Sequence, residues 1–199
     1  MASGRWTTRA ADRPAGRDGR VARACRGLAL GLAVAGAPAL AGAQAPAPAR
    51  CDQPVYLTFD TGHMGVAPLI AEVLARHQVR VTFFAAHEAT QAGDGSLGEH
   101  WAGWWKARAA EGHEFASHTF DHVYWRGDLP GQPPRFRVRA SAGPDKDVNR
   151  EWTAAQYCEE IGRAERRLAQ LTGRPPLPLF RAPGGKTSPQ LLAAARANP

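Results

Sequence analysis

Three short runs hold residue types that could carry out hydrolysis. The first is Thr58-Phe59-Asp60-Thr61-Gly62-His63, where a β-prone stretch ends in a carboxylate. A carboxylate at the end of a buried strand must be hydrogen-bonded, ion-paired or held by a metal, because burying it alone is costly. Asp60 is placed to take a proton from water; the ordinary alternative is a turn or helix N-cap residue. The second run is Ser117-His118-Thr119-Phe120-Asp121-His122. His118 and His122, four apart, can share one metal ion if the segment is helical or turned. Imidazole suits zinc, cobalt, nickel or iron. Asp121 points elsewhere on a helix and reads as a structural or supporting residue. The third run is Phe180-Arg181-Ala182-Pro183-Gly184-Gly185. Arg181 could orient a carboxylate through a bidentate pair, and the glycines allow close approach of backbone or ligand. The alternative is a surface arginine in a tight turn.

The elements that must position these runs alternate. Val55–Phe59 and Val79–Ala86 are β-prone, and Glu114–Ser117 is a short strand candidate. Between them, Val66–Gln78 has apolar residues at helical spacing (Leu69, Ile70, Val73, Leu74), and His100–Glu111 reads as a helix carrying Trp101, Trp104 and Trp105. These tryptophans fit packing of the helix against a sheet, with sugar stacking as the other use of such rings. Val123–Arg150 is rich in Pro, Gly and Arg and is expected to lack regular structure, as functional loops of that length often do. A strong helix runs from Thr153 to Leu171, with Gln156 at capping-box spacing and Thr172-Gly173 at its end. Leu177–Phe180 is a strand between prolines, and Ser188-Pro189 opens a last helix. Four strand-then-helix units predict a parallel sheet covered by helices. The three runs then all fall at the carboxyl ends of strands, where such folds bind ligands.

The chain has 199 residues, 44% hydrophobic and 22% charged, which fits a globular protein. Its formal net charge of +7 would suggest an acidic partner if it were spread over the surface. It is not: residues 1–43 hold seven arginines against Asp12 and Asp18. No basic patch argues for nucleic acid. The N-terminal arginines, the apolar run Leu28–Leu40 and Ala41-Gly42-Ala43 read instead as a signal peptide over residues 1–43, with Gln44 as the mature start. The expected location is therefore periplasmic or secreted. The apolar run is too short to span a membrane comfortably, so no span is expected after cleavage. Residues 44–53 look like an extended linker. Cys51 and Cys158 would remain, as a disulfide that export permits or as two thiols.

In this order the three runs resemble the motifs of the polysaccharide deacetylase family, carbohydrate esterase family four, also called the NodB-homology domain. Thr58-Phe59-Asp60-Thr61-Gly62 is similar to the family's Thr-Phe-Asp-Asp-Gly. His118-Thr119-Phe120-Asp121-His122 fits His-Ser/Thr-x-x-His, and Arg181-Ala182-Pro183-Gly184-Gly185 fits Arg-x-Pro-x-Gly. Val81-Thr82-Phe83-Phe84 and Gly112-His113-Glu114 look family-like as well. The resemblance covers residues 54–199. It implies a distorted (β/α) barrel of the α/β class, incomplete in this chain, that removes acetyl groups from an N- or O-acetylated polysaccharide. It further implies a divalent metal ion, zinc with cobalt or nickel as alternatives, held by His118 and His122. Asp60 would be the general base and Arg181 the residue that orients it.

Two departures from the family pattern matter. The family's second Asp of the first motif is a metal ligand, and here Thr61 takes its place. Water could complete the shell, His63 could substitute, or metal affinity could fall. The chain also stops before later family motifs, one of which supplies a histidine general acid, so the resemblance implies that these 199 residues are inactive alone. A non-catalytic carbohydrate-binding relative without its metal, or an amidase on small non-sugar amides, are the competing expectations.

Overall fold

The computed structural model describes residues 53–197. The expected signal peptide, the linker up to residue 52 and Cys51 lie outside them. Three parallel strands form the sheet that matters for the site. They are β1 (Thr58–Asp60), β2 (Thr82–Ala85) and β3 (Glu114–Ser117), in that spatial order. Register pairs Phe59 with Phe83 and Phe83 with Phe115. Strand side chains alternate between faces, so these three rings share one face, with centroids 5.9 and 6.2 Å apart. Helix α2 (Ala102–Ala110) sets Trp104 and Trp105 edge-on against Phe83 at 5.4 and 6.0 Å. Trp105 is fully buried and donates its indole N–H to the Ser96 carbonyl at 2.7 Å. The tryptophans thus pack the helix onto the sheet. Burial of each such ring contributes about 1.5–3 kcal/mol. Thr58, Asp60 and Phe84 are left on the opposite face, where the site forms.

Helix α1 (Ala67–His77) has Pro68 in its first turn, and Gln78 closes it in the left-handed conformation. Helix α3 (Ala154–Thr172) starts with a complete Thr153/Gln156 capping box and ends at Gly173 with φ 74°. Helix α4 (Pro189–Ala197) opens with the Ser188 hydroxyl accepting the Leu191 N–H at 3.0 Å.

The expectation for Val123–Arg150 is overturned. That stretch and the residues after it form a second, antiparallel sheet of β4 (Val123–Leu129), β5 (Arg135–Ala140) and β6 (Asn149–Thr153). In β5, Phe136, Val138 and Ala140 are buried, while Arg135 and Arg137 are exposed. The prolines and most of the glycines sit in the connections, Pro130, Gly131, Pro133 and Pro134 between β4 and β5 and Gly143 and Pro144 between β5 and β6, while Gly127 lies within β4 where the register to β5 shifts. Leu177–Phe180 is not a full strand either. It runs beside β3 as an irregular partner: Leu177 and Arg181 donate their N–H groups to the Phe115 and Ser117 carbonyls at 2.8 and 2.9 Å, the Leu179 carbonyl accepts the Ser117 N–H at 3.1 Å, and Phe180 bridges to Ser117. Among the described residues the parallel sheet has three strands and does not close into a barrel.

Candidate active site

The carboxyl ends of the three parallel strands, together with the chain after Phe180, bring all four expected site residues together. Arg181 spans the sheet face. Its Nη1 donates to Asp60 Oδ1 at 2.5 Å and its Nη2 to Thr58 Oγ1 at 2.8 Å, with the guanidinium 4.0 Å from the centre of the Phe84 ring. Asp60 therefore faces the site with one oxygen anchored. Its Oδ2 lies 3.7 Å from His118 Nε2.

The His118–His122 segment is a tight turn, not a helix. Thr119 and His122 both have positive φ, 61° and 49°. Such angles are rare for non-glycine residues and unusual for a β-branched one. Neighbouring groups hold the turn in this conformation. The Thr119 hydroxyl accepts the Val123 N–H at 2.7 Å, and Ser117 Oγ accepts the Thr119 N–H at 3.2 Å. The His118 N–H donates to the Ala85 carbonyl at 2.9 Å. From α3, Glu160 Oε2 accepts the Asp121 N–H at 2.7 Å, and Arg163 pairs with both Asp121 (3.1 Å) and Glu160. Asp121 is thus structural, as its position between the histidines suggested.

The turn aims both imidazoles at one point, with their Nε2 atoms 3.2 Å apart. His118 Nδ1 lies 2.8 Å from the Arg181 carbonyl, which can only accept. Nδ1 must carry the proton, and Nε2 is therefore bare. His122 Nδ1 meets the Ser141 hydroxyl at 2.5 Å; with Nδ1 donating there, its Nε2 is bare as well. Two bare nitrogens facing each other at this distance suit a shared cation. Two imidazole ligands on a tetrahedral zinc, with Zn–N near 2.0–2.1 Å, stand about 3.3 Å apart. Burial favours the neutral rings. It lowers the pKa of His118, and burial with the neighbouring His118 lowers His122 to about 4. Among the described residues no group of three or more His, Cys, Asp or Glu side chains is close enough to enclose an ion; the nitrogen donors brought together here are the two imidazoles.

His63 is not part of the pair. Its Nδ1 accepts the Gly65 N–H at 3.1 Å in an exposed turn, and it lines a cavity of about 220 Å³ toward α1 with Met64, Val66 and Ala67. Thr61 binds backbone instead. Its hydroxyl donates to the Ala86 carbonyl at 3.2 Å and accepts the Ala86 N–H at 2.8 Å.

Sequence reasoning missed Glu88. It follows β2 by three residues, and its Oε1 lies 3.8 Å from His122 Nδ1. Burial, reinforced by the Asp60 charge, raises its pKa to about 7. The signal was its place just past a strand end, the criterion that selected the other runs. Glu88 also lines a hollow of about 370 Å³ with Thr90, Asp94, Ser141 and Lys146.

Comparison with known proteins agrees with these motifs. The family described as polysaccharide deacetylase matches residues 48–199. A chitooligosaccharide deacetylase from Azorhizobium caulinodans is 29% identical over 139 residues, which is 69% of this chain and 51% of that protein. The chain thus spans about half the length of that curated relative. Among solved structures, a family 4 carbohydrate esterase from Streptomyces lividans, in complex with acetate, is 23% identical. It aligns over 75% of this chain and 60% of its own, with a TM-score of 0.48. A family 4 carbohydrate esterase from Bacillus subtilis is 26% identical over 71% of this chain and 47% of its own, also with a TM-score of 0.48.

Proposed function

The chain belongs to the polysaccharide deacetylase family, and from that premise we propose that it carries the base and metal half of a metal-dependent site that removes acetyl groups from an acetylated carbohydrate. One relative is named for chitooligosaccharides; for this chain the substrate class is the broader one of N- or O-acetylated polysaccharide. The activity is proposed for the protein at its full natural length. The observation that carries the reading is the convergence of the two Nε2 atoms, 3.2 Å apart, beside the Asp60 carboxylate.

A divalent ion held by His118 and His122 would polarise the acetyl carbonyl and acidify the attacking water. Zinc suits the nitrogen donors best, with cobalt or nickel as alternatives. Asp60, with Oδ1 fixed by Arg181, takes the proton of that water through its free oxygen. Arg181 holds the carboxylate still. The hollow beside Glu88 and Lys146 offers polar groups for sugar hydroxyls.

A second reading, a carbohydrate-binding relative without metal, is favoured by one observation: the Thr61 hydroxyl is committed to Ala86. Elemental analysis of the purified protein separates the two. About one divalent ion per chain, lost in His118→Ala, is the expected result. No metal in either protein would remove Asp60 from its assigned role and leave the binding reading.

A further inference from the structure

Helix α3 carries a buried stripe of Tyr157, Ala164, Leu168 and Leu171. Glu160 falls on the same stripe, where helical spacing calls for an apolar side chain, and it is only 4% exposed. A buried carboxylate is costly unless it is paired and hydrogen-bonded. Both of its oxygens are used: Oε2 accepts the Asp121 N–H at 2.7 Å, and Oε1 accepts from Arg163. No step of the proposed chemistry uses this group, yet what it holds is the turn that carries both histidines.

The helix reaches that turn at three places. Before His118, the Ile161 carbonyl accepts the Ser117 hydroxyl at 3.0 Å. After His122, the Tyr157 hydroxyl donates to the Val123 carbonyl at 3.1 Å. Between the histidines, Glu160 holds two successive backbone N–H groups, that of Phe120 through its carbonyl at 2.9 Å and that of Asp121 through its carboxylate. Arg163 closes the arrangement. It pairs with Asp121 at 3.1 Å and with Glu160, and its guanidinium lies 4.3 Å from the centre of the Phe120 ring. Thr119 and His122 keep positive φ on either side of the two peptides that Glu160 holds. Such a backbone persists only where its surroundings over-determine it.

We propose that Glu160 is a positioning residue for the imidazole pair: its buried carboxylate, gripped by Arg163, fixes the turn so that the two Nε2 atoms converge. Glu160 touches neither ring and acts through the backbone of Phe120 and Asp121. A carboxylate is required because one side chain must accept from a backbone N–H and from a guanidinium at once. Glutamine offers one oxygen, and its NH2 would face one of those two donors. The inference rests on the metal-dependent reading for its consequence, metal affinity, while the geometry of the turn can be read without metal.

The test compares the wild type with Glu160→Gln and with Leu74→Ala, a control at a buried position on α1. Cobalt(II) titration of the metal-free proteins, with chelator competition, is run at a temperature where circular dichroism shows each of them folded. The wild type is expected to bind about one cobalt ion. Glu160→Gln is expected to bind it roughly 10–100-fold more weakly, the scale for a residue that supports a ligand without touching the metal. Leu74→Ala is expected to melt earlier but to bind as tightly as the wild type. Unchanged affinity in Glu160→Gln, or an equal loss in Leu74→Ala, would overturn the proposal. Should Glu160→Gln not fold, Arg163→Met, at a more exposed position, takes its place with the same expected direction. Nitrogen NMR of the imidazoles in the metal-free protein is the second readout. The wild type is expected to hold both rings as the Nδ1–H tautomer and Glu160→Gln to show a mixture; unchanged ring signals would overturn the proposal. A wild type that takes up no cobalt, with ring signals that still respond to Glu160→Gln, would overturn the metal-dependent reading and support the positioning role.

Discussion

Arg181 serves the site with two parts of one residue. Its carbonyl fixes the tautomer of His118, while its side chain grips Asp60 and Thr58 above the Phe84 ring. Only the second role depends on residue type. A lysine cannot bond two acceptors in fixed directions while lying flat on a ring. Arg181→Lys is therefore expected to lower kcat for acetate release about 100-fold, the scale of a misplaced reacting group, and to leave metal content unchanged. Steady-state kinetics with elemental analysis, on the protein at its full natural length, check both. A kcat within twofold of the wild type would mean that Asp60 does not depend on this contact. At this scale the sequence was informative where the chemistry is spelled out by residue type: Asp60, His118, His122 and Arg181 all meet. Glu88 was passed over because a lone glutamate in a loop looks like solvated charge; its place three residues past β2 was the available signal, and the structure adds the shielding of its Oε2.

The elements were legible where local signals agree with tertiary packing. The Thr153/Gln156 capping box marked the start of α3 in the sequence and is complete in the structure. The antiparallel sheet was hidden because prolines and glycines dominated the reading of residues 123–150. Yet Arg135-Phe136-Arg137-Val138-Arg139-Ala140 alternates strictly, and the structure buries Phe136, Val138 and Ala140. Strand pairing follows that period-2 pattern, and the turn residues merely connect it. If β5 is core, Phe136→Ala should cost about 3–5 kcal/mol, as large-to-small changes at fully buried positions do. Arg137→Ala, on the exposed face, should stay within about 0.5 kcal/mol. Urea unfolding of the two variants gives the comparison. Equal small costs would return this stretch to the status of a loop. The sheet matters for the site because β4 follows His122 directly, and Ser141, which holds His122 Nδ1, follows β5.

At the scale of the whole molecule, buried histidines tie the fold to pH. His113 lies away from the site and is almost fully buried. Its Nδ1 accepts the Val81 N–H at 3.2 Å, which docks the residue before β2 onto the residue before β3. A second proton on the ring would have to go on Nδ1 and break that bond. Burial lowers the pKa of His113. The charges around it oppose one another: Glu111 raises the pKa, while Arg108 and Arg80 lower it. The unfolded chain, with the ordinary value of 6.5, therefore binds a proton before the folded chain does. Stability is full above about pH 6.5 and declines as the pH falls below it, because the unfolded state then holds more protons. His87 is lowered chiefly by burial too and adds to the same slope. The share belonging to His113 can be separated. His113→Gln retains an acceptor for the Val81 N–H but cannot titrate, so its urea midpoint should fall less than that of the wild type between pH 7.5 and 5.5. An equal fall in both proteins would mean that His113 stays neutral across this range and that the acid sensitivity arises elsewhere in the fold.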